Sequence, residues 1–188
     1  CPDGELRQAG TPDDGIAFDR LRLAWTLLFT QPGMPLVYYG DEIGLPGYGD
    51  PDNRQPLWWH GAEPNNHDAE SLQDLLPSGP ARVLETVRRL AKARAEHPAL
   101  RGGTQTEWWD GGPGLYASAH MRDGDQAIVI LNRTDTEQWL DNELSFAGLS
   151  GQTWTDVLTD EEFIANDQRL SVSVPAFSPR VLVVSDEE

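Results

Sequence analysis

Residues 33–54, GMPLVYYGDEIGLPGYGDPDNR, decide how the rest of the chain is read. A short apolar run, Pro35-Leu36-Val37-Tyr38-Tyr39, is rich in β-favouring residues and is punctuated by Gly33 and Gly40, the pattern of a fully buried strand. Polar chemistry begins where the run ends. Asp41 and Glu42 follow at once, and a Gly- and Pro-interrupted loop leads to Asp50-Pro51-Asp52-Asn53-Arg54. Because α/β proteins place ligand-contacting groups at the carboxyl ends of their strands, this stretch is expected to be a strand delivering a binding loop.

The flanking segments set the architecture. Residues 17–30 carry Phe18, Leu21, Ala24, Trp25, Leu28 and Phe29 at the three-and-four spacing of a helix with a broad buried face. Residues 81–96 repeat the pattern with Val83, Leu84, Val87, Leu90 and Ala91 on one face and Arg82, Arg88, Arg89 and Lys92 mostly on the other. Helix, strand, loop and helix in that order make one unit of a barrel or doubly wound sheet.

Beyond residue 104 the period shortens to two. Strands are expected at about 104–109, 115–120, 126–132, 154–157, 170–174 and 180–184. Asp123-Gly124 marks a hairpin, since it supplies the positive φ that tight two-residue turns require. Leu170, Val172 and Val174 alternate with Ser171 and Ser173, as in a half-buried antiparallel strand. A domain boundary is expected near 97–103, where HPALRGG ends a helix.

GMPLVYYGDEIGLPG followed by DPDNR, then RAEHPALRGG, AIVILNRT and SVPAFSPRVLVV, resembles the α-amylase family of glycoside hydrolases from about Phe18 to Val184. The resemblance implies an α/β fragment, the last strand and helices of a (β/α)8 barrel over 1–100, followed by an all-β antiparallel sandwich over 101–188. It further implies a retaining hydrolase of α-1,4-linked glucans or maltooligosaccharides. The family's three catalytic acidic motifs do not occur in these residues, so no catalytic residue is assigned and the chain by itself is expected to be inactive. Its partners are then the glucan and the remaining barrel polypeptide or another copy, which would pair the strand at 35–39.

Three side chains are the expected substrate contacts. Asp50 and Arg54, a carboxylate and a guanidinium four residues apart, suit a clamp on neighbouring sugar hydroxyls, and the resemblance places the family's substrate-binding pair on them. Tyr48, with Trp58 and Trp59, offers rings for the apolar side of a pyranose. Asp41 and Glu42 are adjacent and so face apart in extended chain, unlike the two carboxyls of a retaining glycosidase, which stand about 5 Å apart facing one bond. Glu42 is expected to meet a cation or backbone amides.

Composition narrows the alternatives. A net charge of −17, with Lys92 the single lysine, argues against nucleic acid and anionic membrane surfaces and suits a neutral sugar. Cys1 is the only cysteine, which excludes an internal disulfide. The histidines show no ligand spacing, and Asp50-Pro51-Asp52-Asn53 lacks the glycine and terminal glutamate of a calcium loop, so neither metal nor cofactor is expected. No apolar run approaches the roughly 20 residues that span a bilayer. Two other functions remain open: a carbohydrate-binding module using Trp108, Trp109 and Trp139 as a platform, and a non-catalytic interaction module.

Overall fold

Two apolar runs, AIVI at 127–130 and VLVV at 181–184, hold the molecule together because each strand is covered on both faces. In the computed structural model, which describes residues 15–45, 47, 49–54, 76–108, 113–151 and 153–185, eight strands are present among the described residues. Six form an antiparallel sheet in the order β1 (Thr104–Glu107), β2 (Leu115–Arg122), β3 (Asp125–Asn132), β8 (Pro179–Val184), β5 (Thr153–Asp156) and β6 (Glu162–Ile164). The other two, β4 (Gln138–Glu143) and β7 (Arg169–Val174), pair with each other.

Side chains alternate across a strand, and the sheet uses both sets. Ile128, Ile130 and Leu182 point toward the β4–β7 ribbon and enclose a core with Leu140, Leu170, Val172, Trp108 and Trp154. Ala127, Val129, Val181 and Val183 point the other way, against Trp25, Phe29, Val83, Val87 and Leu90 of two helices, α1 (Gly15–Thr30) and α2 (Ser78–Glu96). The helices approach closely: a Cβ on Gly79 of α2 would lie 2.3 Å from the Phe18 ring of α1, so only glycine fits there. No helix among the described residues is long and apolar enough to cross a membrane.

The β2–β3 hairpin turns at Asp123 (φ 53°) and Gly124 (φ 88°), as expected, with Arg122 paired to Asp125. Both helices and six strands fall where periodicity puts them, within a few residues. Two strands escape the sequence reading. In β4 only Leu140 is buried, so the alternation is a single apolar residue beside the exposed Trp139; β6 is a three-residue edge strand.

The expectation of a buried strand at 35–39 is corrected. Residues 34–38 are irregular and belong to no β-ladder, and Leu36 is 84% and Tyr38 47% exposed. A parallel strand needs neighbours on both edges, and every strand formed among the described residues is already engaged in antiparallel pairing downstream of residue 103.

Two buried polar arrangements fix the connections. The amide nitrogen of Asn132 donates to the carbonyls of Thr136, Val174 and Pro175 at 2.8 to 2.9 Å, while its oxygen accepts from the Thr134 amide and hydroxyl. Arg94 of α2, 8% exposed, donates to the carbonyls of Phe29 (2.6 Å) and Gln31 (3.1 Å), and also to those of Gly33 and Leu100. These are the orphan carbonyls at the end of α1, the turn that follows it and the 3-10 turn Pro98–Arg101. Arg94→Met keeps the stem but leaves buried carbonyls unpaired, so it should lower the unfolding free energy by about 3 kcal/mol, measurable as a lower urea midpoint.

His120 lies on the helix-bearing face of β2, 2% exposed, with Nε2 2.8 Å from the Ser118 hydroxyl. Burial pushes its pKa down from 6.5 to about 4. The unfolded chain therefore takes up this proton near pH 6.5, whereas the folded one does so only near pH 4. The stability His120 confers is complete above about pH 6.5 and drains away as pH falls through that window, to a total of about 3 kcal/mol. His120→Gln should show a correspondingly flatter dependence of unfolding free energy on pH between about 7 and 4 than the unsubstituted chain.

Candidate functional site

Segment 33–54 leaves the helical layer from a fixed point. Gly33, at φ 109°, is held through its carbonyl by Arg94, and the chain is caught again at Asp41, whose carbonyl accepts from the Trp25 indole at 3.2 Å. Between these anchors the apolar side chains of residues 34–39 stand in the open; Tyr38 and Tyr39 lean on each other with ring centroids 4.6 Å apart. The 3-10 turn Asp41–Ile43 closes through Ile43 N to Gly40 O (3.1 Å) and Leu45 N to Gly40 O (2.9 Å), and Ile43 is buried.

Adjacent carboxylates do diverge here: Asp41 is exposed, while one oxygen of Glu42 is buried and accepts no hydrogen bond. No amide among the described residues meets that oxygen, because those of the turn are spent on the Gly40 and Asp41 carbonyls. Nor do three or more His, Cys, Asp or Glu side chains converge as a metal site among the described residues.

Asp50 and Arg54 are brought together. The chain folds into a turn with Asn53 N to Gly49 O at 3.1 Å and Arg54 N to Pro51 O at 3.0 Å, so that Arg54 Nε lies 3.0 Å from Asp50 Oδ1 and Nη2 lies 3.3 Å from Oδ2. Both side chains are about two-thirds exposed, at 65% and 66%. The fork-to-fork geometry fixes each group against the other while their outer edges face solvent, where they can bond adjacent hydroxyls of a ligand. Tyr48, Trp58 and Trp59 lie outside the described residues.

The histidines that are described serve the fold. His97 Nδ1 is 3.1 Å from Asp125 Oδ1, and the other oxygen of Asp125 accepts from Ala99 N at 2.8 Å, which pins the end of α2 to the β2–β3 hairpin. The Ser118–His120 pair is shut inside and has no access to a substrate.

Of the three rings that the alternative of a carbohydrate-binding module would use, Trp108 is corrected. Trp108 is 2% exposed and donates from its indole to Glu143 O at 3.0 Å, because the β4–β7 ribbon covers it; Trp139 is 63% exposed and Trp109 lies outside the described residues.

No family model matches the chain. Individual relatives do. It is 29% identical to neopullulanase 2 of Thermoactinomyces vulgaris over 87% of this chain and 25% of that protein. It is 32% identical to an α-amylase of Streptomyces lividans over 95% of this chain and 21% of that one. The fold matches the crystal structure of an α-amylase from Geobacillus thermoleovorans complexed with acarbose, with a TM-score of 0.70, 23% identity and coverage of 93% of this chain and 34% of the other. The chain thus spans about a quarter or less of the length of these curated relatives.

Proposed function

Because the chain belongs to the α-amylase family of glycoside hydrolases, matching a part of those proteins along nearly its whole length, we propose that it is the C-terminal portion of an enzyme that hydrolyses α-1,4-linked glucans or maltooligosaccharides by a retaining mechanism. The catalytic carboxylates reside on polypeptide outside these 188 residues. Residues 1–100 form the end of the (β/α)8 barrel, and residues 101–188 form the β-sandwich domain that follows it.

The observation that carries this reading is the state of residues 34–39. They lie between α1 and α2 in the chain order of a barrel unit and have strand composition, yet Met34 and Leu36 are 93% and 84% exposed. Parallel barrel strands are buried on both faces and bonded along both edges. The remaining barrel supplies those neighbours, and with them the donor that the buried oxygen of Glu42 needs. Asp50 and Arg54 then stand at the carboxyl end of that strand, where barrel enzymes carry their sites, and with Tyr48 they bind a glucose unit beside the cleaved bond.

This 188-residue chain should release no reducing sugar from maltotriose or starch, and in the complete enzyme Arg54→Ala should raise KM for maltotriose about tenfold, a loss of roughly 1.4 kcal/mol. Hydrolysis by the isolated chain, or an unchanged KM, would remove the corresponding part of the reading.

The division into two units rests on the first core, every member of which lies between Trp108 and Val184. This supports reading the β domain as an autonomous folding unit and the first hundred residues, which meet it through the second core, as dependent on their neighbours. Limited proteolysis of the chain alone should leave a stable fragment that starts near residue 100; one that starts near residue 20 would count against autonomy.

A further inference from the structure

The turn of the β2–β3 hairpin brings together an exposed carboxyl, a free amide and open space. Asp123 stands at φ 53° with its side chain 78% exposed. Gly124 follows at φ 88°, and a Cβ built on it would meet nothing within 4 Å. The ladder closes on the Arg122–Asp125 pair, so the Gly124 amide lies outside it and donates to no backbone carbonyl among the described residues. The next residue holds two parts of the molecule together. One oxygen of Asp125 lies 3.1 Å from His97 Nδ1, and the other accepts from the Ala99 amide at 2.8 Å, so a single carboxylate latches the hairpin to the end of α2.

We propose that Asp123-Gly124 is a site of spontaneous covalent modification, the isomerisation of Asp123 to isoaspartate, and that this change opens the Asp125 latch. The Gly124 amide nitrogen attacks Cγ of the protonated Asp123 carboxyl; a C–N bond forms, and the hydroxyl leaves with the nitrogen's proton as water. Water then adds to the main-chain carbonyl carbon of the resulting succinimide ring and breaks that carbon's bond to nitrogen. The backbone now runs through Cβ and Cγ, and the α-carboxylate is free. Nothing is oxidised or reduced, and the composition of the chain is unchanged. Ring closure requires the peptide between the two residues to rotate toward the carboxyl, which a side chain on residue 124 would obstruct and glycine permits. Only Arg122 Nε touches the carboxylate, at 3.3 Å in an exposed pair, and such pairs hold weakly. The product carries one extra backbone atom in a turn whose length sets the register of Arg122 opposite Asp125. Asp125 is thereby displaced from His97 and Ala99.

The test ages the 188-residue chain for weeks in neutral buffer at physiological temperature and maps its tryptic peptides by mass spectrometry. Asp-Gly also occurs at 3–4, 14–15 and 110–111, so the reading is taken from the peptide of residues 123–133 alone. That peptide should resolve into two species of equal mass, the new one a methyl acceptor for an isoaspartate methyltransferase. Asp123→Asn suits the left-handed turn equally well and should give the same isoaspartate sooner, releasing ammonia instead of water. Asp123→Glu must close a larger ring and should give none. Hydrogen exchange reads the latch: after ageing, the Ala99 amide should exchange about tenfold faster than in fresh protein, as it should in Asp125→Ala. The proposal is overturned if the peptide stays single in both the parent chain and Asp123→Asn, or if Asp123→Glu gives the same new species. Unchanged Ala99 exchange in the isomerised chain would overturn it as well.

Discussion

A single buried guanidinium organises the helical layer. Arg94 faces four backbone carbonyls, three from residues 29–33 and one from Leu100, and among the described residues it forms no ion pair. Burial lowers its pKa, and Arg101 acts in the same direction. An arginine nevertheless stays charged, so among the described residues this cation is balanced by backbone dipoles. The arrangement works because all four carbonyls come from places where helical bonding runs out: the end of α1, the turn after it, and the 3-10 turn after α2. Without it the exit of residue 33 from the helical layer would lose its first anchor, leaving the Trp25–Asp41 bond to hold the segment.

The sheet passes this order on. β3 and β8 are apolar on both sides and connect two cores that otherwise share no residue. Beyond the apolar contacts, Arg89 of α2 bonds Asp160 at 2.8 Å and the Val157 carbonyl at 3.3 Å, and Arg22 of α1 bonds Thr86 of α2 at 2.9 Å. On the other side of the sheet, Arg180 is buried against Asp156 (3.0 Å) and Glu161 (2.6 Å), with Phe163 stacked on its guanidinium. Arginine carries nearly all the positive charge of this acidic chain, and these arginines are spent on joints between layers.

Legibility followed the range of the interactions. The β2–β3 hairpin could be read because its turn is set by two residues, and the helices because their apolar faces repeat within a few turns. Asp50 and Arg54, read as a clamp on sugar hydroxyls, also pair with each other, since a four-residue turn closes locally. Residues 35–39 have the composition of a buried strand but stand open here, because β-preference is local whereas burial of a strand needs neighbours that these residues do not find. Trp108 was taken for a surface ring because what buries it is a ribbon about 30 residues further on, whose first strand has only Leu140 to betray it.

The closure around Asn132 reaches into the chemistry of modification. Asn132-Arg133-Thr134 is an acceptor sequence for N-linked oligosaccharide, which requires an asparagine amide free to react. In the folded molecule that nitrogen is wholly enclosed and committed to three carbonyls, and the threonine hydroxyl is committed to the asparagine's own oxygen. A glycan could be attached there only before the β3 strand is laid down, and a chain carrying one could not then close β7 and β8 over it. Folding and glycosylation at this sequon are therefore mutually exclusive fates.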